Sequence, residues 1–424
     1  MRLPAFLADP ASGSGTFAFT GARVFSGGGP VTDDATVVVE NGRIASVGRR
    51  DDGIPDGART IELSGKLLMP GIIDAHAHLS MLEHTPRGPH PDKGEEPVRP
   101  GVVGHLVGAT LRRAVRMGIT TIRDVGAYGD VLLELRQGMR YGAFVGPRLL
   151  VCGRIVSPTA PGGRFFPGMY READGADEMR KAVREQIRAG ADFVKIMSTG
   201  ARSVELENPH PSQCTREEMA AFVDEAHRQG YRAAAHCEGL GGTELAVLAG
   251  ADTIEHGFYL NQRPDLLEEL AGRRGVLIPT LSFLHDVAEQ GVWTDMLEEQ
   301  GRYNVEQADM TLRAARDVGV LLAMGYDSPE SDLAANEIVR MVEHGLTNEE
   351  ALVAATHGSA TALGIDAEVG TIEPGKLADL VVVDGDPLSE PGVLLDEANI
   401  WLVMRNGSPA AGAALDSRLA TSEA

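Results

Sequence analysis

From about Leu68 to Ile365 the chain alternates short apolar runs of strand length with longer stretches of helical periodicity. The runs read LLMPGIIDAHAHL, TTIRDVG, RLLVCG, FVKIMS, AAAHCE, TIEHG, VLIPTL and LLAMGYD, eight in all. Strands apolar on both faces, separated by amphipathic helices, indicate a parallel sheet covered on both sides. Eight such units predict an α/β protein with a (β/α)8 TIM barrel over residues 68–365. One connecting helix is legible in full. Thr215 and Glu218 have capping-box spacing, Met219, Phe222, Val223 and Ala226 make an apolar stripe, and Gly230 ends it.

The flanks have a different texture. Residues 17–67 read as short strands between Gly-rich turns, with Asn41-Gly42 marking a tight hairpin between apolar runs. The same texture returns in VGTIEPGKLADLVVVDGDP and NIWLVMRNG. Neither piece is long enough to bury a sheet alone, so residues 17–67 and 366–407 are predicted to combine into one small composite β-sandwich domain. Residues 1–16 and 408–424 are small, polar and aperiodic, and are predicted to be loosely ordered.

Composition narrows the functional classes. The 424 residues and 43% hydrophobic content suffice for a full barrel core. With 39 basic against 61 acidic residues the net charge is −22, which repels phosphate backbones and anionic bilayers. No nucleic-acid or membrane partner is expected; a small-molecule substrate is. Three cysteines, Cys152, Cys214 and Cys237, form no paired framework, and the start has no signal-peptide core, so a soluble cytoplasmic protein is the expectation.

The chemistry sits where the apolar runs end. A strand repeats every two residues, so His76 and His78 project from one face and can ligate one metal ion. In a barrel of this kind the loops at the C-terminal strand ends form the active site. Collecting the ionisable residues at those ends gives His76, His78, Lys195, His236, His256 and Asp327, six groups converging from five strands. Burying so many polar groups costs several kcal/mol unless something coordinates them. Alternation in DFVKIMS puts Phe193, Lys195 and Met197 inside the barrel and Val194 and Ile196 outside. Burial and nearby positive charge lower a lysine pKa, and the neutral amine can then take up CO2 as a carbamate. Such an anion could bridge two ions, one on the HxH pair and one on His236 and His256. The alternative for Lys195 is an ion pair inside the barrel.

PGIIDAHAHL, the isolated strand lysine, AAAHCEG, DTIEHG, AMGYDS and GTIEPGKLADLVVVDGDP together resemble the amidohydrolase superfamily. The resemblance runs from about Phe17 to Gly407 and is closest to the binuclear, lysine-carboxylated branch of prolidase-like and imidazolonepropionase-related hydrolases. It implies that His76, His78 and Asp327 bind the more buried ion, that His236 and His256 bind the other, and that carboxylated Lys195 bridges them. It further implies two divalent ions, zinc above all, and cleavage of an amide, peptide or N-acyl amino acid bond by a metal-bridging hydroxide, with Asp327 shuttling the proton. Homo-oligomers are common in such families, and self-association is expected here. Two other reactions stay open: ester, lactone or phosphotriester hydrolysis at the same centre, and deamination of an amino-heterocycle at a single ion. Deaminases of the superfamily lack the fourth-strand lysine and carry a glutamate three residues after the fifth-strand histidine, where this chain has Gly239.

The chain departs from the prolidase-like pattern in two places. Arg164 follows the glycines in VSPTAPGGRFFPGM, where a histidine is usual, and either clamps a substrate carboxylate or is a solvated loop residue. Glu238 stands where tyrosine or histidine is common and would favour an amine or amide N–H. His210 and His285 follow the fourth and seventh strands and are candidate substrate contacts. His84 and His90 lie in a long first loop that reads as a candidate lid. His105, His227, His344 and His357 fall in helical patterns and read as structural, and Cys237 reads as helix-facing core.

Overall fold

The two flanking β textures do join. In the computed structural model, which describes residues 15–50, 52–82, 98–204, 206–289 and 295–415, β1 (Thr16–Val24), β2 (Thr32–Glu40), β3 (Arg43–Arg49), β4 (Arg59–Glu62) and β5 (Leu67–Pro70) are the N-terminal strands. Asn41 and Gly42, with φ of 50° and 80°, close the β2–β3 hairpin, both in the left-handed region that such a turn demands. The barrel follows as β6 (Ile72–Ala77), β7 (Ile119–Asp124), β8 (Arg148–Val151), β9 (Ile155–Ser157), β10 (Tyr170–Glu172), β11 (Val194–Met197), β12 (Ala233–Cys237), β13 (Thr253–His256), β14 (Val276–Ile278) and β15 (Leu321–Leu322). Three strands complete the chain: β16 (Leu380–Val383), β17 (Ile400–Arg405) and β18 (Ser408–Ala411).

The outer sheet has the order β18-β17-β16-β5-β1-β2-β3, with β4 also pairing β1. The two ends of the chain meet where Val381 of β16 faces Met69 of β5 in antiparallel register. Phe19, Val37, Val39, Leu68, Leu380, Val382 and Leu402, drawn from both ends of that order, share one apolar cluster, so the sheet curls around it. Its other face, including Met69, Val381, Val383 and Val403, packs with Val107, Leu111 and Ala114 of the helix Pro100–Arg116. Burial on both faces explains the uninterrupted valine runs.

Two sequence boundaries need correction. The first apolar run is two strands, because β5 belongs to the outer sheet and β6 to the barrel. Gly71 lies between them, where a Cβ would collide with the Thr120 side chain. Residues 408–415 are not loose: β18 pairs β17, and Leu415 packs against the outer cluster. Residues 1–14 and 416–424 lie outside the described residues.

The eight barrel strands are β6, β7, β8 and β11 to β15, all parallel within their sheets. Hydrogen bonds from Asp192 N to Val151 O (2.8 Å) and from Ala75 N to Met324 O (2.9 Å) join the two arcs. β9 and β10 are an insertion after the third barrel strand, and β9 pairs with β11. Thr215 and Glu218 form the expected capping box, with Glu218 N donating to Thr215 Oγ1 at 3.2 Å. Val194 and Ile196 pack outward with Met179, Val183 and Phe222, leaving Lys195 inside. No described helix is long and apolar enough to cross a membrane.

Candidate metal centre

Strand alternation brings His76 and His78 to one wall of the barrel mouth, with ring centroids 5.4 Å apart. Asp327 approaches from β15 across the closing seam, where its N–H donates to His76 O at 2.8 Å. Ligating atoms of His76, His78 and Asp327 lie within 4.8 Å of one another. His236 and His256 face each other beside them, Nδ1 of the first 3.0 Å from Nε2 of the second. Lys195, 1% exposed, lines the same cavity. All six residues expected at the strand ends therefore converge.

Backbone strain makes part of this convergence possible. His256, Thr280 and Asp327 have φ of 69°, 51° and 57°, a region that side chains beyond glycine rarely enter. The twist at His256 breaks the alternation of β13, so Glu255 and His256 both point inward. Thr280 turns its hydroxyl to His256 Nδ1 at 2.7 Å. Gly325, before Asp327, lies against His76 where a Cβ would collide.

The hydrogen bonds fix which nitrogens face the centre. His76 Nδ1 lies 2.6 Å from Glu255 Oε2 and His78 Nδ1 3.2 Å from Gly126 O, so both δ nitrogens donate and both ε lone pairs point toward Asp327. Those lone pairs stand 3.2 and 3.6 Å from Asp327 Oδ1, and buried His76 Nε2 has no hydrogen bond. His236 Nε2 donates to Gly200 O at 3.3 Å, which leaves its Nδ1 lone pair facing His256. Lone pairs aimed at a carboxylate and at another imidazole repel unless a cation or proton lies between them. Burial and the Lys195 charge hold His76 and His236 well below the usual histidine range, and burial with the neighbouring His236 does so for His256. They are thus in the neutral, ligating form. Burial lowers the Lys195 ammonium and raises the Asp327 carboxyl well above its ordinary range. The donor set fits divalent metal.

Behind the ligands stands a layer that reading the strand ends missed. Glu255 accepts from His76 and from Arg123 Nη2 at 2.9 Å, and Arg123 also donates to Ala75 O and lies over Phe193. Asp74, pushed up to about 7 by burial, accepts from the N–H groups of His76 and Tyr326 and from Ser331 Oγ, tying β6 to the turn that carries Asp327. Asp124, pushed up to about 8 by burial, accepts from Leu79 N and Gly126 N around His78. Such partners orient first ligands and raise their basicity.

Above the centre opens a cavity of about 510 Å³, walled by Met81, Phe166, Met169, Met197, Phe283 and Tyr326. Of the four expected substrate contacts, only Glu238 lines it, and Glu238 is already engaged by Arg202 through N–H and Nε at 2.8 and 3.1 Å. Arg164 is exposed on the short helix Pro161–Phe165 and does not line the cavity. His210 is exposed and its ring rests near Tyr259, while His285 is buried against Asp309. These three therefore do not line the cavity: Phe165 and Phe166 face it where Arg164 does not, and the helix of His285 presents Phe283 and Asp286 to it instead. His84 and His90 lie outside the described residues. Arg202, missed in the sequence, is 7% exposed, lies over the Phe258 ring, and has a buried Nη1 without a hydrogen bond. Cys237 is helix-facing core as expected, its thiol pushed up to about 12 by burial.

The chain is similar to ochratoxinase of Aspergillus niger, with 28% identity over 96% of this chain and 88% of that protein. The crystal structure of that ochratoxinase superposes with a TM-score of 0.84 at 25% identity over 94% of this chain and 96% of that one. A Xaa-Pro dipeptidase crystallised with methionine in its active site gives a TM-score of 0.83 at 26% identity, covering 94% of this chain and all (100%) of that one. Imidazolonepropionase of Sphingopyxis alaskensis is 28% identical over 84% of this chain and 88% of its own length. The profile of the Amidohydrolase family matches residues 67–410, a span that holds all six residues of the mouth cluster and the barrel around them, and the chain belongs to that family.

Proposed function

We propose that this chain is a binuclear hydrolase that cleaves the amide bond of a small N-acyl amino acid or dipeptide with an apolar side chain and a free carboxylate. The observation that carries the reading is the pairing of the donor cluster with buried, unpartnered Arg202 Nη1 in one apolar cavity. His76, His78 and Asp327 would hold one ion, His236 and His256 the other, and a carbamate on Lys195 would join them. Divalent ions held there, zinc being the best match to imidazole and carboxylate donors, acidify water and polarise a carbonyl.

The chain's own residues do the rest. Arg202, braced by Glu238 and Phe258, binds the substrate carboxylate and sets its orientation. The Met and aromatic wall takes the apolar side chain and excludes water. Asp327, at the base of the cavity, accepts the proton released as the scissile carbonyl is attacked and returns it to the leaving nitrogen. Glu255 and Thr280 keep His76 and His256 in their ligating tautomers. Lys195 speaks against the single-ion deaminase, as does Gly239.

Steady-state kinetics on a panel of N-acyl amino acids and dipeptides, each with its C-terminally amidated counterpart, tests the proposal. The expected result is hydrolysis of apolar and aromatic members, with kcat/KM falling at least about tenfold on amidation, the scale of a lost charge-assisted contact. Turnover confined to esters, lactones or phosphotriesters, or release of ammonia from amino-heterocycles, would replace it.

A further inference from the structure

A second group of metal-ligating side chains lies among the helices Leu281–Glu289, Asp295–Val318 and Ala335–Glu343, and the hydrolytic reading leaves it unused. His285 Nε2 is 3.3 Å from Asp309 Oδ1, and His344 Nδ1, just past the third helix, is 2.8 Å from Asp309 Oδ2. The two imidazoles lie against each other, centroids 4.1 Å apart and planes at 38°. One donor atom from each of the three residues falls within 4.8 Å of the others. His285 and Asp309 are buried, while the His344 side chain is 21% exposed. None of the three lines the mouth cavity.

We propose that His285, Asp309 and His344 bind one divalent ion of the zinc class, separate from the barrel mouth, which pins the three helices together. Ligands about 2.0–2.1 Å from a tetrahedral ion stand roughly 3.3 Å apart; with one donor atom of each residue within 4.8 Å of the others, side-chain rotation of the cluster closes it on an ion. Two nitrogens and one carboxylate select zinc, cobalt or nickel over magnesium or calcium, which take oxygen donors. The two rings meet at a tilt beside one carboxylate, which brings a donor nitrogen of each next to it. Three protein ligands leave a position for water on the open side of His344.

The site has a consequence for the cavity. The helix Leu281–Glu289 begins next to Thr280, whose hydroxyl contacts His256 Nδ1, and it presents Phe283 and Asp286 to the mouth. Glu337 on the third helix accepts from Leu281 N and Ser282 N at 2.7 and 2.6 Å and holds the start of the same helix. An ion at the cluster would stiffen one wall of the substrate cavity without touching substrate, so its loss raises KM more than it lowers kcat.

The test is elemental analysis of the full chain, purified without chelator and equilibrated with zinc chloride, beside His344→Ala and Asp309→Asn variants checked for fold by circular dichroism. Each variant is expected to hold one ion fewer per chain than the wild type while its kcat stays within about twofold, below the scale of a lost catalytic group. Equal ion content in all three proteins would overturn the proposal. Should a variant fail to fold, zinc-edge anomalous scattering from wild-type crystals decides: a peak between His285 Nε2 and His344 Nδ1 supports the site, and its absence overturns it.

Discussion

The two histidine-aspartate clusters in this chain are built by opposite means. At the barrel mouth, short side chains are aimed by the backbone itself, with His256, Thr280 and Asp327 held at positive φ. At the helix cluster, His285 and Asp309 lie on regular helices and His344 at a helix end, none with positive φ. Each strained residue costs of order 1–3 kcal/mol and persists only where its surroundings over-determine it. The mouth is over-determined: Glu255, Arg123, Asp74 and Asp124 all fix backbone or ring positions there. The helix cluster is held by helix packing and by its own contacts to Asp309, with no backbone distortion. Positive φ also occurs at turn residues such as Asn41, but only at the mouth does it aim the side chains of a donor cluster; at the helix cluster regular helices do so.

The largest expected separation comes from the two aspartates. Asp327→Asn removes the proton acceptor and should lower kcat by about 10²–10⁴-fold, whereas Asp309→Asn should leave it nearly unchanged. Comparable losses in both would collapse the distinction. The next effect lies behind the ligands. Glu255→Gln weakens the acceptor of His76 Nδ1 and leaves Arg123 without its anion, so metal affinity at the mouth should fall about 10–100-fold in chelator competition. Wild-type affinity in that variant would show that His76 needs no orienting carboxylate.

The smallest effect sharpens the contrast from outside, through a third contact of this kind, His227 Nε2 with Asp252 Oδ2 at 2.9 Å near the surface. The hydrogen bond to Asp252 raises the His227 pKa above its ordinary 6.5. The stabilisation is thus complete below the unfolded value and fades as pH rises through the folded one. The Tm advantage of wild type over His227→Gln should be widest near about pH 6 and shrink toward about pH 8, with no change in metal content. An advantage independent of pH would assign the effect to packing.

Much of this was legible from residue pattern. Eight apolar runs mark the barrel strands, and alternation places Lys195 inside because Val194 and Ile196 have helices to cover them. Glu255 was not legible for the same reason that His256 was: two neighbours on one strand cannot share a face unless a dihedral breaks the pattern, and only the fold shows the φ of 69° at His256. The exchange of Arg164 for Arg202 has a related cause. Both are arginines in segments between barrel strands, and Arg202 turns inward through contacts with Glu238 and Phe258 that no local period encodes. The β9–β10 insertion was hidden for want of length, since three-residue strands carry too little alternation to read.

The proposal that the mouth holds two ions joined through a modified lysine is decided by diffraction at the zinc edge from crystals of protein purified without chelator. Two anomalous peaks are expected in the mouth, one against His76, His78 and Asp327 and one against His236 and His256, with density extending the Lys195 side chain by a carboxyl group. A single peak beside an unmodified Lys195 amine would contradict it and move the deaminase reading to first place.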